Sequence, residues 1–160
     1  MAARAALSRY ISQSGNLENE ALRLEFAYRY DASPLVAPLL SDEAAPPPDC
    51  DMRAIPAKAW PGMRAPHLFD ESGTAIFDRL AVNGFTLLRF DQRADPTPML
   101  NHAQGIGLPL SVYDIACTQA RDVYGASLAL VRPDQHLAWR GDHPDIAAID
   151  VARGATRGGI

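Results

Sequence analysis

The sequence predicts an α/β domain over residues 62–153, with the element order β-α-β-α-β-α-β-β-α, preceded by a helical and extended N-terminal segment. Three observations predict it. The stretch Ser127–Gly141, SLALVRPDQHLAWRG, reads as a hairpin. Leu128–Val131 is a continuous apolar run suited to a strand covered on both faces, Pro133-Asp134-Gln135 is turn chemistry, and His136–Arg140 alternates. The stretches ahead of it switch between three-to-four spacing and short apolar runs, the rhythm of helices alternating with strands. A closing helix near Pro144 follows at once, since proline fits the first helical turn, where its missing N–H costs little.

Taken in order, Ala2–Leu7 is helix-forming and Gly15 ends that stretch. A second helical stretch is expected over Leu17–Glu25, then a strand at Phe26–Tyr30 and a turn at Asp31–Pro34. Six of the 13 prolines lie between Val36 and Pro61, so this stretch is expected to be a linker or extended arm outside the core. Beyond Pro66, His67–Phe69 is expected to be a short strand, and Thr74–Val82 a helix capped by Asn83-Gly84. Gly84–Phe90 is expected to be a buried strand. Asp95-Pro96 opens a helix to Gly105, Leu108–Ile115 is a strand, Thr118–Tyr124 is a helix stopped by Gly125, and Pro144–Ala152 is the last helix. In the hairpin, Leu137 and Trp139 are expected on one face and His136, Ala138 and Arg140 on the other. Helices between strands imply parallel pairing, to which the hairpin adds an antiparallel edge. The expected divisions are residues 1–36, a Pro-rich arm at 37–61, the α/β domain at 62–153 and a flexible Gly-rich tail at 154–160.

Composition narrows the classes. Hydrophobic residues are 48% of the 160, enough for a packed core. A net charge of −4 with no basic cluster gives no electrostatic footprint for nucleic acid or an anionic membrane. No apolar run approaches the ~20 residues of a membrane-spanning helix. The N-terminus lacks the apolar centre of a signal peptide. Cys50 and Cys117, the only cysteines, give neither a disulfide framework nor zinc-ligand spacing, and a cytoplasmic setting is expected.

The element order resembles that of the thioredoxin fold, so the fold class expected is α/β, thioredoxin-like. Redox chemistry on that fold needs a thiolate at the helix N-terminus after the strand Gly84–Phe90, with a resolving cysteine close by. That place holds Asp91-Gln92-Arg93-Ala94-Asp95-Pro96. Tyr124-Gly125-Ala126-Ser127 stands where the proline that packs on the disulfide would be, and Cys117 follows a different strand. A redox-inactive domain is therefore expected. His67, His102, His136 and His143 show no metal-ligand spacing. Gly105-Ile106-Gly107 lacks a third glycine and follows a helix, so it is not a dinucleotide fingerprint.

Three stretches carry a family resemblance: Pro61-Gly62-Met63-Arg64-Ala65-Pro66-His67, the strand GFTLLRF at Gly84–Phe90, and LVRPDQHLAWRG at Leu130–Gly141. Together they resemble the C-terminal region of FAD-dependent aromatic-ring monooxygenases of the phenol hydroxylase type. Upstream, Leu22–Val36 resembles the end of the preceding flavin and substrate domain in that family. The resemblance implies a parent protein that hydroxylates a phenolic ring with FAD, NAD(P)H and O2. It implies that residues 1–36 are the tail of the flavin domain. It also implies that the C-terminal domain is a non-catalytic structural or oligomerisation domain, partnered by the flavin-binding catalytic domain and by further copies of itself. The family's Gly-rich FAD motif and its later Gly-Asp motif do not occur in these 160 residues, so this chain is expected to bind no cofactor by itself.

Arg64, His67, Arg132, Trp139 and Arg140 form the candidate docking surface, because Trp and Arg are favoured at interface centres. Trp139 equally suits a core position under the last helix, and Arg132 an ordinary solvated arginine. Two other functions fit the residues. One is a free-standing, redox-inactive thioredoxin-like module gripping a partner through residues 36–61. The other is an enzyme working through Cys117 or a His–Asp pair at His136, Asp142 and His143.

Overall fold

The computed structural model describes residues 2–12, 28–30, 32–39, 56 and 58–155. The chain divides into two compact units, Met1–Tyr28 with Pro47–Pro56, and Arg29–Pro46 with Ala57–Ile160. In the first unit, α1 (Ala2–Tyr10) forms where Ala3, Ala5 and Ala6 lose little side-chain entropy in a helix. The Ser12 hydroxyl closes its end by donating to the carbonyls of Ser8 (2.8 Å) and Arg9 (3.1 Å). The helix expected over Leu17–Glu25 and the first part of the strand expected at Phe26–Tyr30 lie outside the described residues.

The second unit is built on a four-stranded sheet: β1 (Phe85–Arg89), β2 (Leu110–Asp114), β3 (Leu128–Val131) and β4 (Leu137–Gly141). Their order across the sheet is β2-β1-β3-β4. β1 and β2 are parallel, with α2 (Thr97–Gly105) between them in sequence. α3 (Thr118–Tyr124) leads from β2 to β3, and α4 (Ile146–Ala152) follows β4. β3 is antiparallel to both its neighbours, so parallel pairing across a helix holds for β1 and β2 only. Local chemistry sets the helix ends. The Asp95 carboxylate accepts from Thr97 N at 3.0 Å before α2, and Asp145 accepts from Ala147 N at 2.9 Å before α4. Gly125 ends α3 in the left-handed region at φ 63°.

Two expected elements are not there. His67–Phe69 is not a strand: only Phe69 forms an isolated bridge, to Ala75. The helix expected over Thr74–Val82 is a single 3-10 turn, Ile76–Arg79, and Gly84 therefore caps no helix. Gly84 is required for another reason. A Cβ there would sit 2.9 Å from the Pro109 carbonyl oxygen, where the entries to β1 and β2 meet.

Both faces of the sheet are covered. Phe85, Leu87, Leu128, Leu130 and Trp139 face α2 and α4, meeting Met99, Ala103, Ala148 and Ile149. Leu88, Ala129, Val131 and Leu137 face Ile76, Ala120, Tyr124, Ala59 and Ala65. Each fully buried leucine contributes ~1.5–3 kcal/mol on leaving water, so this two-sided burial carries the fold. Leu137 and Trp139 lie on opposite faces, not on one as their spacing predicts. The ladder pairs Leu130 with Trp139 but Val131 with Leu137, leaving Ala138 as the extra residue of a β-bulge.

The Pro-rich arm is also corrected at its ends. Ala37, Ala59 and Trp60 are buried. The stretch after Trp60 runs along the outer edge of β4: Gly62 N donates to Leu137 O, Leu137 N to Met63 O, and Ala65 N to Gln135 O, at 2.7–2.8 Å. No helix among the described residues is long and apolar enough to cross a membrane.

Candidate functional site

The turn of the β3–β4 hairpin brings together two of the five predicted residues, Arg64 and Arg132, with His67 one aromatic ring away. Gln135 N donates to Arg132 O, Arg132 N donates to His136 O, and Gln135 takes φ 68°, so a tight turn closes on a left-handed residue. The Asp134 carboxylate accepts from Arg132 Nη2 at 2.8 Å and from His136 N at 3.1 Å. Burial pushes the Asp134 carboxyl up, but these bonds outweigh it and hold the group below its ordinary value. Gln135 is held in its left-handed conformation while its side-chain oxygen accepts from Arg64 Nε (3.1 Å) and Nη2 (2.7 Å). Arg64 also lies over the Phe77 ring at 4.7 Å. His67 stacks on Phe77 at 5.3 Å and meets the exposed Phe69 edge-on at 4.8 Å. Arg64 and Arg132 thus flank one turn, and His67 is linked to them through the Phe77 ring it shares with Arg64. Beside it a cleft of about 320 Å³ opens among Tyr30, Ser33, Val36, Gly62, Arg132 and His136.

Trp139 and Arg140 are placed elsewhere. Trp139 is 5% exposed, packed with the α2 and α4 side chains. Arg140 is 8% exposed on the other face. Its Nη1 donates to Ala59 O (2.6 Å) and Tyr124 O (2.8 Å), and its guanidinium stacks over the Trp60 ring at 4.4 Å. One cation therefore ties β4 to the end of α3 and to the end of the Pro-rich stretch. The Tyr124 hydroxyl donates to Pro66 O at 2.9 Å, and burial pushes its phenol up. Trp60 and Tyr124 are functional to this arrangement and escaped the sequence reading. The signal for Trp60 is that it is the one aromatic residue in the Pro-rich stretch from Val36 to Pro61. Trp60 also lines a cleft of about 420 Å³ with Arg29, Val36, Ala37 and Leu39. Its indole N–H is buried without a hydrogen-bond partner among the described residues.

The third location is the corner between β1 and α2. Asp91 accepts from Arg93 Nη2 (2.8 Å), Arg93 N (3.0 Å) and Arg121 Nη1 (3.0 Å). The Arg93 side chain, then its backbone N–H, hold the Asp91 carboxyl far below its ordinary value. The helix that follows has Pro96 at its N-cap and Pro98 in its first turn, and its Thr97 N–H is taken by Asp95. In this corner the Arg93 and Arg121 guanidiniums and the Thr97 N–H, the donors an anion would need, are already engaged by the two carboxylates. Among the described residues no three His, Cys, Asp or Glu side chains converge in a metal-ligating group.

Residues 58–157 match the family model described as aromatic-ring hydroxylase, C-terminal. The chain belongs to that family. This aromatic-ring hydroxylase C-terminal domain is 35% identical over 144 residues to the FAD-dependent monooxygenase apdD of Emericella nidulans, covering 87% of this chain and 23% of that protein. It is 31% identical over 150 residues to a 4-methyl-5-nitrocatechol 5-monooxygenase of a Burkholderia species, covering 81% of this chain and 27% of that protein. Among solved structures, the rebeccamycin biosynthetic enzyme RebC with bound 7-carboxy-K252c superposes with a TM-score of 0.77 at 29% identity, over 96% of this chain and 28% of that one. Aklavinone-11 hydroxylase, solved with FAD and aklavinone, shares the fold at 22% identity and a TM-score of 0.61. The chain thus spans about a quarter of the length of the curated relatives it matches.

Proposed function

We propose that this domain serves an FAD-dependent aromatic hydroxylase as its structural C-terminal domain. In that reading the flavin, NAD(P)H and O2 chemistry on a phenolic ring belongs to a catalytic domain that this one packs against. The observation that carries it is the construction of the β1–α2 corner. Two prolines and two carboxylates occupy the helix N-terminus where an anionic cofactor or a reactive thiolate would have to be held. The residues present do not fit the pyrophosphate of FAD, so no step of the reaction is routed through this chain. The strand order β2-β1-β3-β4, with β3 opposed to both neighbours, supports the label thioredoxin-like. The hairpin turn with Arg64, His67 and Arg132 is the proposed docking surface, while Trp139 and Arg140 act from the interior by holding that hairpin in place.

The test is a titration of FAD with the purified chain, followed by capture of the chain on the flavin-binding portion of the same enzyme. Flavin fluorescence is expected to stay unquenched, and capture is expected to weaken when Arg64 and His67 are replaced by alanine. A yellow chain, or turnover in an insulin-reduction assay, would overturn the reading.

A further inference from the structure

The segment that runs along β4 is bonded on two sides. On its inner side Gly62 N donates to Leu137 O and Leu137 N to Met63 O, both at 2.7 Å. On its outer side Tyr30 N donates to Gly62 O at 3.0 Å, and Arg29 forms an isolated bridge with Met63. A few residues later Ala37 N donates to Ala138 O at 2.9 Å. Residues 29–30 and 32–39 thus form a strap tied at one end to the 62–63 segment and near the other to β4. The strap belongs to the same compact unit as the sheet.

The strap is folded within itself. Ser33 N donates to Tyr30 O, Val36 N to Ser33 O and Leu35 N to the Ser33 hydroxyl, at 3.1–3.2 Å, and Pro34 and Pro38 stiffen it. It is seated on two glycines. A Cβ on Gly62 would lie 3.1 Å from Tyr30 O, and one on Gly154, just past α4, would lie 3.2 Å from the Leu35 side chain. Its hold on the core is slight by comparison. Ala37 is the one buried residue among those described in the strap, and it joins the core through a single methyl group. Tyr30, Ala32, Pro34 and Pro38 are exposed. Packing beside the strap is also incomplete: Ser33 and Val36 line both the cleft at Trp60 and the cleft at Arg132. A segment that buries so little apolar surface opens at lower free energy than the sheet it lies on.

We infer that this strap is a detachable cover, which opens and closes as a unit while the four-stranded sheet stays folded. The inner bonds between Gly62, Met63 and Leu137 do not involve it, so the 62–63 segment stays on β4 when the strap leaves. Opening frees the Gly62 and Ala138 carbonyls. It also joins the two clefts, because Ser33 and Val36 form a wall of each. The Tyr30 ring, which meets His136 edge-on at 5.1 Å, is withdrawn from the flank of the β3–β4 turn at the same time. Access along this side of the domain is therefore set by the strap and not by the sheet. The inference goes beyond the docking role proposed above and does not depend on it.

Hydrogen exchange on the full chain, read amide by amide in increasing but sub-denaturing urea, tests this. The Tyr30 and Ala37 amides should exchange at least about a hundredfold faster than those of Gly62 and Leu137. Their rates should not respond to dilute urea, since opening the strap exposes little surface. The Phe85 and Phe90 amides, bonded to Pro109 O and Ser127 O at either end of β1, should instead follow global unfolding. Ala37→Asp places a charge at the strap's buried anchor. It should abolish protection at residues 30 and 37 while changing exchange at Phe85 and Phe90 by less than about tenfold. Leu35→Ala is milder and should speed exchange at the two strap amides alone. Strap amides as slow as Phe85 and Phe90, Gly62 and Leu137 amides that open together with the strap, or an Ala37→Asp chain that unfolds would overturn the inference. All of this is read on the chain alone, so it succeeds or fails independently of capture by the flavin-binding portion.

Discussion

Trp139 and Arg140 are neighbours in the chain, yet they stabilise opposite faces of the sheet by different physics. Trp139 fills an apolar layer between β3 and the helices α2 and α4. Arg140 enters a layer that also holds Tyr124 and Trp60, and satisfies two backbone carbonyls there. The first face depends on volume and shape. The second depends on a polar network in which each partner is fixed by another. The lesson is that a side chain favoured at interfaces is equally suited to join segments within one chain. Arg140 does so between residues 81 apart in sequence.

The sharpest test of the contrast is Trp139→Ala, expected to cost ~3–5 kcal/mol through lost transfer energy and a cavity. Denaturant unfolding measures it, and a loss below ~1 kcal/mol would mean that this face is not organised by shape. Arg140→Met comes next, at about 2–3 kcal/mol, because it leaves the Ala59 and Tyr124 carbonyls buried and unbonded. Arg140→Lys should restore only part of this, since an ammonium does not reproduce a planar group stacked on Trp60. Full recovery by lysine would show that charge alone suffices.

Gly125→Ala should cost about 1–2 kcal/mol: φ 63° strains any L side chain, and a Cβ would meet Arg140 Nη1 at 2.9 Å. The loss should shrink in an Arg140→Met background if the contact matters. Tyr124→Phe should cost ~1 kcal/mol at neutral pH by removing the bond to Pro66 O. It should also change the alkaline limb. The folded phenol titrates above its ordinary value of ~10, so its stabilisation is whole below that pH and is lost as pH rises through the folded value. Urea midpoints followed upward from neutral pH should fall for wild type and stay flatter for Tyr124→Phe. The smallest effect is Asp91→Asn. The folded carboxyl titrates below its ordinary value of ~3.9, so its contribution is present above that pH and is lost as pH falls. Acid unfolding should therefore be less steep in the variant, which should be somewhat less stable than wild type at neutral pH and converge with it as pH falls.

Much of the fold is legible in the sequence. α3 spans Thr118–Tyr124 and β3 spans Leu128–Val131, as their spacing predicts. β1, α2, β2, β4 and α4 differ from expectation only by one or two residues at an end. Thr74–Val82 was misread because Ile76, Phe77 and Leu80 keep helical spacing while serving only a 3-10 turn. With four residues in that turn, tertiary contacts rather than a helical ladder decide their positions. Of the proposed docking surface, the meeting of Arg64 with the Arg132 turn follows from the residue 62–65 segment pairing along the hairpin. The interior roles of Trp60, Tyr124 and Arg140 are not legible in the sequence, because each depends on partners far away in sequence.

The sequence by itself determined what neighbours within a few residues decide. These are the hairpin turn at Pro133–Gln135, the helix start at Asp95-Pro96, the stop at Gly125, and a β1–α2 corner built from carboxylates and prolines instead of sulfur; the last helix starts at Ile146, capped by Asp145, two residues later than the Pro144 start the sequence predicts. The tertiary structure alone decided the direction of β3, the bulge at Ala138 and the burial of Arg140. The physical reason is that β4 is bonded along both edges, by β3 on one side and by residues 62–63 on the other. Satisfying both sets of backbone groups leaves Ala138 as an extra residue and sends Leu137 and Trp139 to opposite faces.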